Sequence, residues 1–377
     1  MTASELNLIK NPQQQHHARR VAVCRHAQKM GIGALLVTTP VNIFYLSGFS
    51  GSNGVLALCA NAEATLVTDR RYELHARHET TADHVLLERD ALAQAAQVAG
   101  NLAAATAHGS QVGFEAEHLT VAQFQQLRGT VSPELLSPTT GIVAEVRRHK
   151  DPEEIDTIAR ACQIAEAALA EVVSDIRIGD QEVQIARQLE FAMLRLGADD
   201  KAFATIVAAG AHSAVPHHVP TAAPVQTGDL LKIDFGAKLG HYHSDITRTF
   251  VVGRDPDTEQ LAIHAAVADA AERARAVVRA GLPAEVPYRV ARESLDAVGW
   301  AQNFTHGLGH GVGLEIHEAP IMTAVTTSRL VTGDVITVEP GAYFPGRGGV
   351  RIEDTLVVTE SGARALSSYP RALARVG

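Results

Sequence analysis

Five side chains that could bind metal ions lie beyond residue 230 of the sequence, within short polar motifs. Four are carboxylates and one is an imidazole, a set that can hold two divalent cations side by side. A pair of bound cations supports hydrolysis more often than it serves as a structural staple. The candidate ligands are Asp234, Asp245, His310, Glu339 and Glu353.

The first motif spans residues 230–250, where two runs of β-prone residues flank a turn that contains glycine. If the turn centres on Leu239–Gly240, Asp234 faces Asp245 directly across the hairpin, with Cβ atoms about 4.5–5.5 Å apart. Two carboxylates at that spacing repel each other unless a cation, a proton or an arginine lies between them. The motif therefore favours a shared cation. The alternative is that one aspartate lies in a turn while the other caps a backbone group.

The second motif, residues 304–320, places His306, His310 and His317 among four glycines. Glycine permits close backbone approach and positive φ, so this loop can fold tightly around a site. It contains neither a GxGxxG nor a GxxxxGK[ST] pattern, which excludes the common nucleotide-binding loops. Three histidines in one glycine-rich stretch indicate chemistry, whereas a single one would more often be structural.

The remaining motifs place Glu339 and Glu353 in or at the end of apolar β-prone runs. A carboxylate in that position is costly unless it is paired. Taken singly, each glutamate could equally lie at an exposed strand edge; together with the other motifs they indicate a shared site. A loop at 207–218 carries His217, for which a solvated loop histidine is the simpler interpretation.

The elements around these motifs predict two domains. Up to about residue 140, short apolar runs alternate with helical patterns, which predicts an α/β domain over residues 1–145. Asp151, Pro152 and Glu154 then form a helix start with a capping box. Beyond residue 180, helical patterns alternate with β-rich stretches joined by glycine turns, so antiparallel pairing and an α+β domain over residues 146–377 are expected. The predicted helices cover 13–30, 70–79, 90–106, 120–128, 151–179, 181–196, 258–280 and 286–298.

Composition and charge argue against a nucleic-acid-binding, a membrane-spanning or a secreted protein. The 377 residues carry a formal net charge of −9, which argues against a nucleic-acid partner. No apolar run approaches the roughly 18 residues of a membrane helix. The polar N-terminal stretch lacks the apolar core of a signal peptide, so a cytoplasmic enzyme is expected. The three cysteines are far apart and are expected to be buried reduced thiols.

The motifs DFGA…YHSDITRT, HGLGHGVGLEIHE, VEPG and RIED occur in the order found in the pita-bread metallopeptidases, and the chain resembles that family from about residue 150 to 360. The group contains aminopeptidase P, prolidase, methionine aminopeptidase and creatinase. The resemblance implies a creatinase/aminopeptidase-like pita-bread fold in which the five candidate ligands bind two metal ions. It also implies roles in substrate contact and proton transfer for His217, His306 and His317, and a supporting role for Arg351.

Residues 42–54 and 68–72 resemble the smaller α/β N-terminal domain of Xaa-Pro peptidases, which methionine aminopeptidases lack. Creatinases have this domain but lack the metal ligands. Two residues depart from the family pattern: His241 stands where glycine is usual, and His75 stands where glutamine is common. Neither is a ligand position, so both departures bear on loop shape or specificity.

The resemblance implies an Xaa-Pro aminopeptidase that uses two divalent ions. Mn²⁺ is the first choice because carboxylates dominate the ligand set, with Zn²⁺ and Co²⁺ as alternatives. The two ions would share a water or hydroxide, and Glu339 would take its proton. Thr247 and Arg248 are expected to orient the acids, although a structural salt bridge explains Arg248 equally well.

Two alternative functions stay open at this point. One is an Xaa-Pro dipeptidase (prolidase), and the other is an inactive peptide- or protein-binding module on the same fold. Proline-containing peptides are the expected partners, and a homodimer is expected from the family. Neither nucleic acid nor membrane is expected as a partner.

Overall fold

A computed structural model describes residues 11–377, so most of the polar N-terminal stretch considered above lies outside the described residues. The chain divides into two compact units, the first reaching Arg147 and the second spanning Arg148–Gly377. Among the described residues, no helix is both long enough and apolar enough to cross a membrane.

Within its described part, residues 11–147, the first unit contains six α-helices and a six-stranded sheet. Its helices are α1 (Pro12–Lys29), α2 (Pro40–Ser47), α3 (Glu73–Glu79), α4 (Ala91–Ala105), α5 (Val121–Thr130) and α6 (Ile142–Arg147). Its strands are β1 (Ile32–Val37), β2 (Gly54–Cys59), β3 (Ala64–Thr68), β4 (His84–Leu87), β5 (Gln111–Glu115) and β6 (Leu136–Thr139).

The sheet of the first unit has the strand order β4-β3-β2-β1-β5-β6 and mixes parallel with antiparallel pairs. One face of β1, marked by Ala34 and Leu36, packs against the alanine-rich helix α4. Small alanine side chains let this helix lie close to the sheet. The predicted α/β arrangement is confirmed here, but α2, α6, β4 and β6 were not predicted, because each has eight residues or fewer and carries little periodicity.

The second unit contains four helices, of which α7 shows how local sequence starts an element. The Asp151 side chain accepts a hydrogen bond from the Glu154 backbone N–H, and the Glu154 side chain accepts one from the Asp151 N–H, with Pro152 in the first turn. The predicted capping box is therefore confirmed. The helix ends at Asp175 rather than Gly179. The helices are α7 (Pro152–Asp175), α8 (Glu182–Arg195), α9 (Thr258–Val277) and α10 (Glu285–Asp296).

The strands of the second unit form four small sheets with the orders β11-β10-β7, β20-β12-β9-β8, β14-β13-β15-β18-β19 and β16-β17. The pairing is antiparallel, as predicted, except between β12 and β20. The strands are β7 (Asp200–Lys201), β8 (Ile206–Ala209), β9 (Leu230–Phe235), β10 (Ala237–Leu239), β11 (Tyr242–His243), β12 (Ile246–Val252), β13 (Gly309–Gly311), β14 (Glu318–Met322), β15 (Val335–Val338), β16 (Gly341–Phe344), β17 (Gly348–Arg351), β18 (Asp354–Val358), β19 (Ala363–Ala365) and β20 (Arg375–Val376).

One apolar core of this unit contains residues of α9, α10 and the strands of three of its sheets. Val267 and Ala270 of α9 pack in it with Leu295 of α10 and with strand residues such as Ile336 and Val350. The two helices bury apolar side chains there. The three cysteines, Cys24, Cys59 and Cys162, are free and buried, as predicted.

Candidate metal centre

The five predicted ligands lie on or beside strand ends of two sheets in the second unit. Asp234 belongs to β9, and Asp245 immediately precedes its partner strand β12. His310 is the middle residue of β13. Glu339 follows β15, and Glu353 lies between β17 and β18. Strand pairing thus brings together residues that are far apart in sequence.

The register of the first hairpin corrects one prediction. Asp234 pairs with Thr247, not with Asp245, because the turn centres on Gly240 and His241 rather than on Leu239–Gly240. Both turn residues have positive φ, 54° and 71°, as a tight two-residue hairpin turn requires. Asp245 therefore lies diagonally from Asp234, still near enough for the charge of Asp234 to contribute, after burial and Glu353, to the raised pKa of Asp245.

The ligand side chains converge. Nε2 of His310 lies 3.5 Å from a carboxylate oxygen of Asp245 and 3.5 Å from one of Glu339. Potential ligand atoms of Asp245, His310 and Glu353 all lie within 4.8 Å of one another. Asp234, Asp245, His310 and Glu353 are buried, and Glu339 is half-buried. This is the spacing of atoms that can share one or two cations.

The electrostatics of the cluster are unfavourable without a cation. Burial, followed by the charges of Glu353, Asp234 and Glu339, raises the pKa of Asp245 well above its ordinary value. Burial and neighbouring carboxylates likewise raise the pKa of Glu353 well above its ordinary value. Burial raises the pKa of Glu339 to about 8, with Arg351 opposing that rise and Asp234 adding to it. The carboxylates are therefore short of positive charge, which a divalent ion would supply.

Two further observations fit a metal. Oδ1 of Asp234 is a buried oxygen without a hydrogen-bond partner among the described residues. Nδ1 of His310 lies 3.0 Å from the carbonyl oxygen of Gly311, so we assign the proton to Nδ1, which leaves the Nε2 lone pair facing the carboxylates. Burial lowers the pKa of His310 to about 4, so the ring is a neutral ligand at neutral pH. Oxygen-rich donors of this kind suit a hard divalent ion.

Glycines beside His310 allow the strands to approach closely. A Cβ on Gly309 would overlap the carbonyl oxygen of Thr337, and one on Gly311 would overlap that of Ala319. The glycine-rich motif thus serves the packing of β13 between its neighbours, and that packing aims the imidazole into the cluster.

Arg351 and Thr247 support the ligands. Arg351, which is buried, donates from Nη2 to the Asp234 carboxylate and from Nε to Oγ1 of Thr247 at 3.1 Å. The Thr247 hydroxyl in turn donates to Oε2 of Glu353 at 2.7 Å. One arginine and one threonine therefore orient two of the five candidate ligands.

Sequence reasoning missed Tyr343. Its hydroxyl lies 2.9 Å from Nη1 of Arg351 and 2.8 Å from Nε2 of His306. Nδ1 of His306 faces the Gly307 carbonyl at 2.8 Å, so we assign its proton there and expect Nε2 to accept from the tyrosine. Burial and then Arg351 lower the pKa of His306 to about 3, so this imidazole is neutral at neutral pH. The available signal was the position of Tyr343 on β16, directly after the VEPG motif.

The other two predicted histidines lie at the edge of the cluster. His217 and His317 are exposed, and the His317 ring meets that of His310 edge-on, with centroids 4.3 Å apart. Burial and then the neighbouring His217 lower the pKa of His317. His217 also acts electrostatically on His306. The structure therefore brings all three histidines to one site.

Arg248 forms a structural salt bridge and also contacts the backbone of a candidate ligand, the two roles considered for it from sequence. It donates from Nη2 to Asp354 at 2.9 Å, a buried salt bridge, and from Nη1 to the backbone carbonyl of Glu353 at 2.5 Å. The first contact is structural, and the second places the backbone of a candidate ligand.

The sequence matches two known protein-family models. The sequence model of metallopeptidase family M24 matches residues 156–360, more than half of the chain. The chain belongs to metallopeptidase family M24. The model of the creatinase/prolidase N-terminal domain matches residues 19–149 of the same M24 chain.

Individual relatives agree with the family match. The Xaa-Pro dipeptidase of Pyrococcus furiosus is 37% identical over 345 residues, covering 91% of this M24 chain and 95% of that protein. The structure of an Xaa-Pro dipeptidase from Bacillus anthracis has a TM-score of 0.90 at 33% identity, covering 96% of this chain and 100% of that one. An X-Pro aminopeptidase from Thermotoga maritima has a TM-score of 0.85 at 34% identity, covering 93% and 100%.

These similarities confirm several predictions made from sequence. The chain is a metallopeptidase of the Xaa-Pro branch, with a pita-bread domain and a creatinase-like N-terminal domain.

His241 and His75, the two residues that depart from the family pattern, have structural roles. His241 adopts positive φ in the hairpin turn, and His75 lies 2.8 Å from the Glu79 carboxylate and 3.1 Å from the Ser50 hydroxyl.

Proposed function

We propose that this M24 chain is an Xaa-Pro dipeptidase that depends on two divalent ions. The observation that carries the catalytic part is the convergence of four carboxylates and one imidazole, four of them buried, in a cluster whose negative charge Arg351 compensates only in part. Sequence reasoning favoured an aminopeptidase first. The dipeptidase is better supported, because the relatives from Pyrococcus furiosus and Bacillus anthracis carry that name and match nearly the whole chain.

We propose that Asp234, Asp245, His310, Glu339 and Glu353 hold the ions. When bound, the ions polarise the scissile carbonyl and lower the pKa of a water molecule, so that it can attack at neutral pH. Mn²⁺ is our first choice because oxygen donors dominate, and Zn²⁺ and Co²⁺ are the alternatives to test.

Side chains of the protein itself transfer the proton of the attacking water to the leaving nitrogen. Glu339 is half-buried beside the other candidate ligands, and its carboxylate can take a proton from the attacking water and give it to the proline nitrogen as the C–N bond breaks. Thr337 Oγ1 lies 3.4 Å from Glu339 Oε1 and helps to orient it. Without that transfer the leaving nitrogen would depart as an unfavourable anion.

The histidines and Arg351 contribute positioning and charge. His217 and His317 are exposed at the edge of the cluster, where they can donate to the substrate carbonyl as negative charge develops. Neutral His306 is oriented through Tyr343 by Arg351, which also fixes Asp234. The imide nitrogen of proline carries no N–H, so the ring must be recognised by shape and apolar contact.

The test compares two substrates on one preparation. Metal-stripped protein is reloaded with Mn²⁺, Zn²⁺ or Co²⁺ and given Xaa-Pro, Xaa-Pro-Xaa and, as a control, Xaa-Ala. We expect cleavage of Xaa-Pro with little cleavage of the tripeptide, and loss of activity in Glu339→Gln with metal still bound. Preference for the tripeptide would establish the aminopeptidase, which the similarity to the Thermotoga maritima enzyme supports as the second candidate. Absence of cleavage with metal bound would indicate a binding module.

Two further expectations stay predictions. A homodimer is expected and is measured by light scattering of the purified protein. The cytoplasmic location is tested by fractionation of the source cell.

A further inference from the structure

A second cluster of ionisable side chains lies in the same unit, outside the five candidate ligands. Glu182, the first residue of α8, is completely buried, and His212 and His218 lie against it. His212 and His218 belong to the segment 210–220, called here the His217 loop. This loop connects Ala209, at the end of β8, to Thr221.

The Glu182 carboxylate accepts five hydrogen bonds, and they come from both ends and from within this loop. Oε1 accepts from the backbone N–H of Ala209 at 2.8 Å and from Nδ1 of His212 at 2.9 Å. Oε2 accepts from Nε2 of His218 at 2.9 Å, and from the backbone N–H and hydroxyl of Thr221 at 3.0 and 2.8 Å. The Glu182 carboxylate therefore holds the two ends of the His217 loop together through hydrogen bonds.

The carboxylate is ionised in this setting. Burial by itself would raise the pKa of Glu182, but the donors from Ala209, His218, His212 and Thr221 outweigh it and lower the pKa to about 2. An ionised carboxylate only accepts, so each histidine presents an N–H to it. Charge-assisted hydrogen bonds of this kind are roughly twice as strong as neutral ones.

The centre of the same loop is held by hydrogen bonds from two buried side chains, Lys232 and Arg351. Nζ of Lys232, which is fully buried on β9, donates to the carbonyl oxygens of Val215 at 2.6 Å and Pro216 at 3.2 Å. Nη1 of Arg351 also donates to the Pro216 carbonyl, at 3.1 Å. His217 directly follows this doubly bound carbonyl and precedes His218, so its backbone is fixed on both sides.

We propose that Glu182 is a positioning residue for His217, holding the loop so that this imidazole stays beside His306 and His317. The proposal rests on the proposed function, in which His217 contacts the substrate.

Glu182, His212 and His218 could instead be interpreted as a metal site, since their potential ligand atoms lie within 4.8 Å of one another. That reading is weaker, because each carboxylate oxygen already accepts at least two hydrogen bonds, and the N–H groups of Ala209 and Thr221 would face the cation.

The test is a double-mutant cycle of Glu182→Gln with His217→Ala on the metal-loaded enzyme. The glutamine amide cannot accept from Thr221 and His218 as the carboxylate does, so the loop end loosens. We expect kcat/KM for Xaa-Pro to fall about 10- to 100-fold, the usual effect of removing a supporting group. In the His217→Ala background, the same substitution should change kcat/KM by less than about twofold, because its effect passes through His217.

Three controls separate positioning from other roles. Glu190→Gln, in the same helix, removes a half-exposed carboxylate that pairs with Lys201 at 2.9 Å, and it should leave kcat/KM unchanged. Hydrogen exchange of residues 209–221 should speed up in Glu182→Gln with or without His217, while metal content stays at the wild-type value. If Glu182→Gln does not fold, Thr221→Val removes one donor and should show a smaller loss that also vanishes in His217→Ala.

The outcomes that overturn the proposal are distinct. Losses that multiply in the double variant would mean that Glu182 does not act through His217. Wild-type kcat/KM despite faster exchange would show that the loop restraint is irrelevant to turnover. Loss of one metal equivalent would assign the cluster to an ion. If the wild-type protein cleaves neither Xaa-Pro nor Xaa-Pro-Xaa, the proposed function and the positioning role fail together, and the exchange data still report the restraint itself.

Discussion

Glu353 and Asp354 are adjacent buried carboxylates whose environments are opposite. Asp354 accepts from Arg248 at 2.9 Å, Arg275 at 2.6 Å and Arg371 at 2.5 Å, and these arginines lower its pKa although burial alone would raise it. Glu353 faces other carboxylates, and burial with their charges raises its pKa well above the ordinary value. Asp354 is compensated by arginines of the chain itself, whereas the charge of Glu353 is not compensated to the same degree. The difference distinguishes a structural acid from the metal ligand that we propose.

Replacing Glu353 should produce the largest change in activity. In Glu353→Gln we expect kcat/KM to fall by at least about 10³-fold, because several kcal/mol of metal-dependent stabilisation are lost. In metal-free protein the same substitution removes carboxylate repulsion, so the melting temperature should stay the same or rise. Steady-state kinetics and calorimetry of both forms test this. A large drop in the metal-free melting temperature would contradict the comparison.

Asp354→Asn should act on stability instead. It leaves buried Arg248 without the carboxylate that it pairs with, which typically destabilises by about 3–5 kcal/mol, while Arg275 keeps its pairing with exposed Glu272. Urea unfolding should show this loss equally in metal-free and metal-loaded protein. A loss seen only in the metal-loaded form would place Asp354 among the metal ligands and break the distinction.

Removal of the metal should make stability depend on pH. In the metal-free protein the pKa of Glu339 is raised to about 8, against an ordinary carboxyl value near 4.5. Between these two pKa values Glu339 keeps its proton in the folded state and has lost it in the unfolded state, so its contribution to stability should fall as pH rises. Mn²⁺ should abolish this trend. Unfolding free energies at pH 5.5 and 8 measure it, and a flat metal-free profile would show that the carboxylates are compensated internally.

Thr247→Val should have the smallest of these effects. It removes the hydroxyl that donates to Glu353 and accepts from Arg351, and support of this kind is typically worth about 10- to 100-fold in metal affinity. Titration calorimetry with Mn²⁺ measures the change. Thr249→Val is the matched control, because its hydroxyl bonds only to backbone groups of Arg351. Equal weakening in both variants would show a general strand effect.

Much of the site could be predicted because the motifs are local and chemically specific. The candidate ligands that the structure brings together, the capping box at Asp151 and the antiparallel pairing beyond residue 180 all lie in short-range patterns. The hairpin register could not be predicted from such patterns, because moving the turn by one residue shifts the strand pairing by two residues, which keeps Asp234 and Asp245 on the same face and leaves the alternation unchanged.

Other features depend on residues distant in sequence. The contacts of Tyr343 with His306 and Arg351 and the five hydrogen bonds of Glu182 join segments separated by up to about 40 residues. No periodicity or motif marks such pairs. Short elements such as α2 and α6 were missed for a related reason, since packing rather than propensity stabilises them.

The sequence by itself determined which side chains could bind metal, because carboxylates and imidazoles in glycine-rich and β-prone motifs have few other uses together. It also determined the two-domain order and the family. Only the tertiary structure decided which acids are compensated, because the distinction between Glu353 and Asp354 depends on where Arg248, Arg275, Arg351 and Arg371 are brought by folding. Coulomb interactions depend on distance in space, and residues adjacent in sequence can therefore have opposite roles.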